Sequence, residues 1–333
     1  MGHSENPKDN PSFWIVQIIV LGFIIRRVNM MLPKSLWGDC WFSMALAQKP
    51  LPELFLGAIQ DVHPPLYPIL SHFFSYNETS LRLLSLLAGV GTIYAVYLLA
   101  KELFSEKVAL IASLLVAINP YWLQSSNEIR SYALLGFLVT LSTYFYFTGR
   151  RLLYTATAVM SIYTEQTAWF WFVAILFFAD SEASDANIIV FLLGIPALFL
   201  AGTQALFSEH MFDLYRVQEY MNIPMLVKKV AGVFNHFACG YRYSMMSWEQ
   251  IMVHSREPLF YLHAFFTGAV CCVAFNGLNK IYSNQRVIFF LMWFLFPIVV
   301  FGVLYPIRLD ARYLSFAAPA FFMLVANGLV EDK

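Results

Sequence analysis

The sequence predicts an all-α, polytopic membrane protein. Three observations carry that prediction. Of the 333 residues, 59% are hydrophobic and only 13% are charged, about half the charged share of a soluble domain, which is near 25%. Thirty-two Phe, eighteen Tyr and eight Trp add to the apolar excess. Several uninterrupted apolar runs reach the roughly 17–25 residues that cross a bilayer, which an oversized soluble core does not require. Formal net charge is zero, so the chain shows no electrostatic footprint for nucleic acid.

The elements follow in order along the chain. The opening "MGHSENPKDNPSFW" is polar and leads into the first apolar run without a small-residue cleavage site. This reads as an uncleaved first span rather than a signal peptide. Met-Gly at the start does not continue into a myristoylation signal. Apolar runs cut by charges, Pro and Gly predict spans near 13–32, 81–100, 107–119, 131–148, 152–164, 166–179, 187–205, 258–276, 287–305 and 313–330. The third, fifth and sixth are short for a crossing. Two long stretches, 33–80 and 206–257, are mixed polar and apolar, as in segments lying along a membrane surface.

Positive charge in short loops sets the orientation. Lys101 with Lys107, Arg150 with Arg151, and Lys280 with Arg286 mark three short loops. If all three are cytoplasmic, an even number of spans separates each pair. That requires 152–179 to cross twice, turning at 163–166. The N-terminus then lies inside, and the outer face receives 33–80, 119–131, 163–166, 206–257 and 305–312. On that face fall Asp39, Asp61, His63, Glu128, Arg130, Glu165, Arg308, Asp310 and Arg312. Ionisable groups near membrane depth are costly and are functional candidates by default. Their one-sided clustering argues for a site at the outer interface rather than a pathway through the membrane.

Asp39, in "SLWGDCWFS", sits between two tryptophans. It is either a cap on a short helix or a general base or metal ligand. In "DVHPPLYPIL", Pro64 restricts His63 to extended geometry and Pro65 does the same to Pro64. The stretch is a stiff arm that aims Asp61 and His63, or a rigid turn between surface helices. In "NPYWLQSSNEIRSYALL", Glu128 and Arg130 form an exposed ion pair of little value, or Arg130 and Tyr132 donate to a phosphate, for which Arg offers planar bidentate geometry. "YPIRLDARYL" taken alone reads as a snorkelling anchor at the last span. Cys271 and Cys272 read as packing residues, and a Cys40–Cys239 disulfide would need an oxidising compartment.

Taken together and in order, "LWGDCWFSMALA", "DVHPPLYPILSHFF", "LRLLSLLAGVGTIYAVYLLAKELF", "NEIRSYALL" and "ARYLSFAAPA" resemble the membrane glycosyltransferases of the GT-C fold. The likeness is to the group similar to dolichyl-phosphate-mannose protein mannosyltransferases and aminoarabinose lipid A transferases. It is close over 13–180 and weaker over 187–330. It implies a bundle of about ten transmembrane helices whose first outer loop carries surface helices. Residues 1–180 would form the catalytic membrane module, including loop 33–80, and 181–333 a C-terminal membrane module with loop 206–257.

The resemblance implies a hexosyl or pentosyl transferase of the cell membrane, moving a sugar from a polyprenyl-phosphate or pyrophosphate carrier to a lipid, glycan or protein acceptor on the non-cytoplasmic face. The alternative is a transporter or flippase of lipid-linked sugars, for which broken helices with paired midplane polar groups are expected. Residue by residue, the resemblance makes Asp39 catalytic. It places His63, Arg130, Tyr132 and Arg312 at the donor phosphate, with Asp61, Glu128 and Glu165 as supporting, metal or acceptor residues. Relatives often carry Glu directly after the aspartate, where this chain has Cys40, and His-Tyr where it has Glu165-Gln166. The residues establish no cofactor; a divalent metal bridging carboxylate and phosphate is compatible with these residue types.

Overall fold

The structure is a computed structural model, and it describes residues 10–31, 36, 38–60, 63–178, 184–207, 223–240, 258–281, 284–304 and 309–331. Among them every regular element is helical, as the sequence requires. Helix α1 (Pro11–Met31) opens the bundle. Three short helices follow on one side: α2 (Gly38–Ala47), α3 (Leu51–Gln60) and α4 (Leu66–His72). These are the surface helices expected in 33–80.

Helix α5 (Glu78–Leu103) is the central element. Asn77 caps it, its side chain accepting from Ser80 N–H while Ser80 Oγ accepts from Asn77 N–H, a reciprocal cap that fixes where the helix starts. Helix α6 (Glu106–Ile118), capped by Ser105, and the short α7 (Pro120–Ser125), capped by Asn119 with Pro120 in its first turn, come next. Then follow α8 (Tyr132–Phe147), α9 (Arg151–Thr164), α10 (Ala168–Phe178) and α11 (Ser184–Phe207). Helix α5 packs against α1, α6 and α8.

Four helical stretches are long and apolar enough to cross a membrane: Pro11–Met31, Glu78–Leu103, Pro258–Asn279 and Gln285–Gly302. Tyr132–Phe147, Ala168–Phe178, Ser184–Leu200 and Ser315–Leu329 are apolar but shorter. Helices α6 and α9 have 13 and 14 residues, reaching about 20 Å at 1.5 Å per residue against a hydrocarbon core of about 30 Å. Each expected span thus has its helix, and the chain is a membrane protein.

The C-terminal helices are α12 (Ile223–Cys239), α13 (Pro258–Asn279), α14 (Asn284–Phe290), a π-helical turn (Leu291–Leu295), α15 (Phe296–Leu304), a 3₁₀ turn (Ser315–Ala317) and α16 (Ala318–Leu329). Helix α12 departs from a segment merely lying on a surface. Val233, His236 and Phe237 are buried, and Asn119 Nδ2 donates to Phe237 O at 2.8 Å, so it docks on α7. Helices α13 and α16 cross closely at Gly277 and Gly328, where a side chain would overlap the backbone of the other helix. The four cysteines are free. Cys40 is buried under Leu81 and Ile129, and Cys239 lies beside Thr267 at 3.5 Å, so the Cys40–Cys239 disulfide is not formed.

Candidate active site

The site is built on the loop between α7 and α8, "SNEIRS". Two buried arginines hold it from behind. Arg26, fully buried on α1, donates from Nε to Ser126 Oγ at 3.1 Å, and from its two Nη atoms to Ala117 O at 2.9 Å and Val116 O at 3.0 Å. It therefore caps the last turn of α6, where carbonyls lack intrahelical partners and a cation is favoured. Gly89 of α5 faces Ser126, and a Cβ there would overlap the Ser126 side chain. Arg82, near the start of α5, donates to Asn127 O and pairs with Glu78 at 2.7 Å. Both arginines act on the loop through its backbone or its first residue.

With the loop fixed, Arg130 points at α2 and the Pro-Pro arm. Its Nη2 lies 2.8 Å from His63 Nε2, and its Nη1 donates to Ser43 Oγ at 3.2 Å and to Asp39 O at 3.5 Å. Arginine has only donors. His63 Nε2 is therefore the acceptor, and the neutral imidazole carries its proton on Nδ1. The arm itself is tied down. Tyr67 Oη meets Ser85 Oγ at 3.2 Å, Ser85 Oγ donates to Arg130 O at 3.2 Å, and His72 Nδ1 donates to Ala47 O at 2.8 Å. The crevice between His63, Pro64 and Arg130 encloses about 20 Å³, room for about one water.

A second arginine arrives from the far end of the chain. Arg312 is 4% exposed, and Asp310 beside it is 2% exposed. Asp310 Oδ1 accepts from Arg312 N at 2.9 Å and from Arg312 Nε at 3.1 Å. Arg312 Nη1 lies 3.9 Å from Asp39 Oδ2, whose side chain is 46% exposed. Tyr121 Oη donates to Ala311 O at 2.9 Å, which ties the Asp310–Arg312 segment to α7. Tyr132 is fully buried between the two arginines. Arg130 stands 5.5 Å from its ring, and Tyr313, itself 5.7 Å from the Arg312 guanidinium, packs edge-on to it at 6.4 Å. Glu165, 4% exposed, accepts from Ser131 Oγ at 2.9 Å and closes the back of the cluster.

The structure thus brings together Asp39, His63, Arg130, Tyr132, Glu165 and Arg312. Glu128 is turned to the other side of the loop, where Gln124 Nε2 donates to it at 2.9 Å. Asp61 and Arg308 lie outside the described residues. The reading of "YPIRLDARYL" as a snorkelling anchor is corrected at Asp310 and Arg312, which are buried and ion-paired because the segment turns inward onto α7. Lys229 on α12 is a residue that sequence reasoning missed. Burial holds its ammonium below the usual range, while Asp310 acts to raise it and Arg312 to lower it further, so it borders the same cluster. The signal was the Lys-Lys pair, Lys228 and Lys229, on a helix that carries no other Asp, Glu, Lys or Arg. Burial, then the Glu128 charge, pushes the Cys40 thiol up to about 11, so Cys40 is not a thiolate nucleophile. Among the described residues no group of three His, Cys, Asp or Glu side chains is placed to hold a metal, and no step below is routed through one.

Comparison with known proteins now bears on this geometry. Residues 62–201 match the family described as dolichyl-phosphate-mannose-protein mannosyltransferase, under half of the chain. No curated protein sequence matches. The oligosaccharyltransferase of Archaeoglobus fulgidus, solved with Zn and sulfate, superposes with a TM-score of 0.56 at 15% identity, covering 95% of this chain and 48% of its own. The same organism's oligosaccharyltransferase AglB, solved with an inhibitory peptide and a dolichol-phosphate, superposes with a TM-score of 0.55 at 14% identity, over 96% of this chain and 50% of its own. The chain has the GT-C fold. ArnT from Cupriavidus metallidurans aligns over 95% of this chain and 77% of its own at 14% identity, with a TM-score of 0.45.

The chain spans about half the length of the oligosaccharyltransferases it matches. The family match contains His63, Glu128, Arg130, Tyr132 and Glu165. Asp39 and Arg312 lie outside it, and only the three-dimensional arrangement joins them to the rest of this cluster.

Proposed function

We propose that this protein is an integral-membrane glycosyltransferase that moves a sugar from a polyprenyl-phosphate or pyrophosphate carrier to an acceptor on the non-cytoplasmic face. One observation carries the reading: two buried guanidiniums far apart in the chain, Arg130 and Arg312, converge on Asp39 and Tyr132. A phosphate is a workable leaving group only if its developing charge meets fixed donors in a low-dielectric site. The two arginines supply such donors. His63 accepts from Arg130 and so sets the plane of that guanidinium. Asp310 does the same for Arg312. Asp39, with its carboxylate half exposed beside Arg312, is the group able to meet an incoming acceptor hydroxyl and take its proton, a step worth typically 10²–10⁴-fold. The bond broken is between the sugar's anomeric carbon and the carrier phosphate oxygen. The bond formed joins that carbon to the acceptor oxygen.

The test uses the purified full chain in detergent with a polyprenyl-phosphate-linked sugar and candidate acceptors. Release of free carrier phosphate is expected, with the sugar recovered on acceptor or water. Movement of intact carrier-linked sugar across proteoliposomes, with no release, would overturn the reading in favour of a flippase.

A further inference from the structure

We propose that Tyr121 is a positioning residue for the carrier phosphate: its hydroxyl, acting on the Ala311 carbonyl, sets Arg312 in register with Arg130, and the short helix α7 is the frame common to both. The proposal rests on the reading of the two guanidiniums as phosphate donors.

The frame is fixed at both ends. Asn119 starts α7 with two bonds: its Oδ1 accepts from Trp122 N–H at 3.1 Å and its Nδ2 donates to Phe237 O at 2.8 Å. Pro120 follows in the first turn, where its fixed φ suits a helix start. Tyr121 is seated there with 1% of its surface exposed, its ring edge-on to His236 at 4.8 Å and to Phe237 at 4.9 Å. Burial holds the phenol well above its usual range, so it keeps the proton that it donates. At the other end, Ser126 N–H and Ser126 Oγ both donate to Trp122 O, at 3.0 and 2.5 Å, where the loop to Arg130 begins. One six-residue helix therefore holds Arg130 by its last turn and Arg312 by its first.

What Tyr121 holds is a rigid unit. Over 310–315 the chain turns tightly, with Tyr313, Leu314 and Ser315 N–H each donating to the carbonyl three positions earlier. Asp310 Oδ1 accepts from both the backbone N–H and Nε of Arg312, so guanidinium and backbone move together. Ala311 O lies inside that unit. It accepts from Leu314 N–H at 3.1 Å within the turn and from Tyr121 Oη at 2.9 Å outside it. Without the hydroxyl the turn keeps its own bonds but loses this seat on α7. Arg312 Nη1 is 3.9 Å from Asp39 Oδ2, near the outer limit of an ion pair, so a small drift breaks the contact. A phosphate gripped by two guanidiniums depends on their separation, and a misplacement of about 1 Å costs up to about a hundredfold in rate.

Trp293 supplies the control. Its Nε1 donates to Phe316 O at 2.9 Å: again one buried side-chain donor on one backbone carbonyl of the same stretch, but past the turn that carries Arg312.

The experiment compares Tyr121→Phe with Trp293→Phe in the full chain in detergent. Each deletes one buried donor and keeps most of its ring, so the two thermal midpoints should fall alike. Sugar transfer should separate them. The kcat/KM for carrier-linked donor is expected to fall about tenfold to a hundredfold in Tyr121→Phe, most of it in KM, and to stay within about twofold in Trp293→Phe. Binding of farnesyl phosphate, a short carrier phosphate, is read by calorimetry and should weaken about tenfold in Tyr121→Phe. A double-mutant cycle then asks whether the hydroxyl acts through Arg312. In an Arg312→Gln background, Tyr121→Phe should change farnesyl phosphate binding by less than about twofold. An equal loss in both backgrounds, or equal losses of kcat/KM in Tyr121→Phe and Trp293→Phe, overturns the proposal. Farnesyl phosphate binding without any sugar transfer sinks the transferase and leaves the cycle to decide the role of Tyr121. Transfer that Tyr121→Phe leaves unchanged sinks the positioning role alone. Absence of both binding and transfer in the unaltered chain sinks both.

Discussion

The N-terminal helices and the C-terminal helices are held together by different chemistry. From α1 to α10 the cohesion near the site is polar: Arg26, Arg82 and Arg130 are buried and each reaches carbonyls or side chains some 40 to 100 positions away. From α12 to α16 it is aromatic. Phe294 stacks on Phe321 at 5.4 Å, Phe290 on Trp293 at 6.2 Å, and Phe237 packs on both Phe294 and Phe321. The first region is arranged to aim charges, since hydrogen bonds have direction. The second is arranged to fill space, and it delivers to the site only the short Asp310–Arg312 segment and the flank of Lys229. A directional network is sensitive to single deletions. An aromatic core distributes its contacts over many partners.

The sharpest way to break this contrast is at the chemistry itself. Asp39→Asn keeps shape and hydrogen bonding but cannot accept a proton. Turnover, read as sugar transfer, should fall by about two to four orders of magnitude with the KM for donor nearly unchanged. Full activity in Asp39→Asn would remove the base from α2 and send the search to Asp61 on the Pro-Pro arm.

Next in size is Arg26→Met, which keeps the bulk of the side chain and deletes its donors. Ser126 Oγ loses a donor and keeps only its own bond to Trp122 O, and the carbonyls of Val116 and Ala117 lose the Arg26 donors in a buried place. Stability should drop by about 3 kcal/mol, read as a lowered thermal midpoint in detergent. Because Ser126 begins the loop that carries Arg130, the KM for carrier-linked donor should rise as well. An unchanged midpoint would show that polar cohesion is not what sets this region.

The matching substitution in the aromatic region is Trp293→Phe. It deletes one bond, from Trp293 Nε1 to Phe316 O at 2.9 Å, and keeps most of the ring packing. The expected cost is about 1 kcal/mol, with donor KM unaffected. If Trp293→Phe raises that KM as much as Arg26→Met does, the two regions do not differ in the way described.

These contrasts also show what the sequence could reveal. Each expected span coincides with a helix because long apolar runs leave a chain in lipid little alternative. That Asp39, His63, Arg130, Tyr132 and Arg312 belong near one another was expected because charged residues are scarce in a chain that is 13% charged and costly at membrane depth; that they form a donor site is the reading proposed above. Asp310 was misread: sequence shows its neighbours Arg308 and Arg312 but not the Tyr121 hydroxyl, 189 positions earlier by chain number, that draws the segment inward. Arg26 went unweighed although Arg26-Arg27 sits at the wrong end of the first span for the orientation that the loop lysines and arginines favour. That mismatch was a usable signal. Glu128 was grouped with Arg130 because two positions separate them, yet a turn sends the pair to opposite sides of one loop. Spacing does not encode that choice.

The smallest expected effects are the most useful for orientation. Tyr76 is 92% exposed between α4 and α5, and Leu152 is 82% exposed at the start of α9. Neither makes a buried contact, so Tyr76→Cys and Leu152→Cys should each change stability by no more than about 0.5 kcal/mol and leave transfer activity within about twofold. Their reactivity should differ completely. By the distribution of Lys and Arg over short loops, Tyr76 faces out and Leu152, next to Arg150 and Arg151, faces in. In sealed cells an impermeant maleimide should label Cys at 76 and spare it at 152, and permeabilisation should equalise them. The reverse pattern would place Asp39, Arg130 and Arg312 on the cytoplasmic face. The polar network would survive that result unchanged, since it depends on helix contacts alone, and the donor would then have to be presented from the cytoplasmic leaflet.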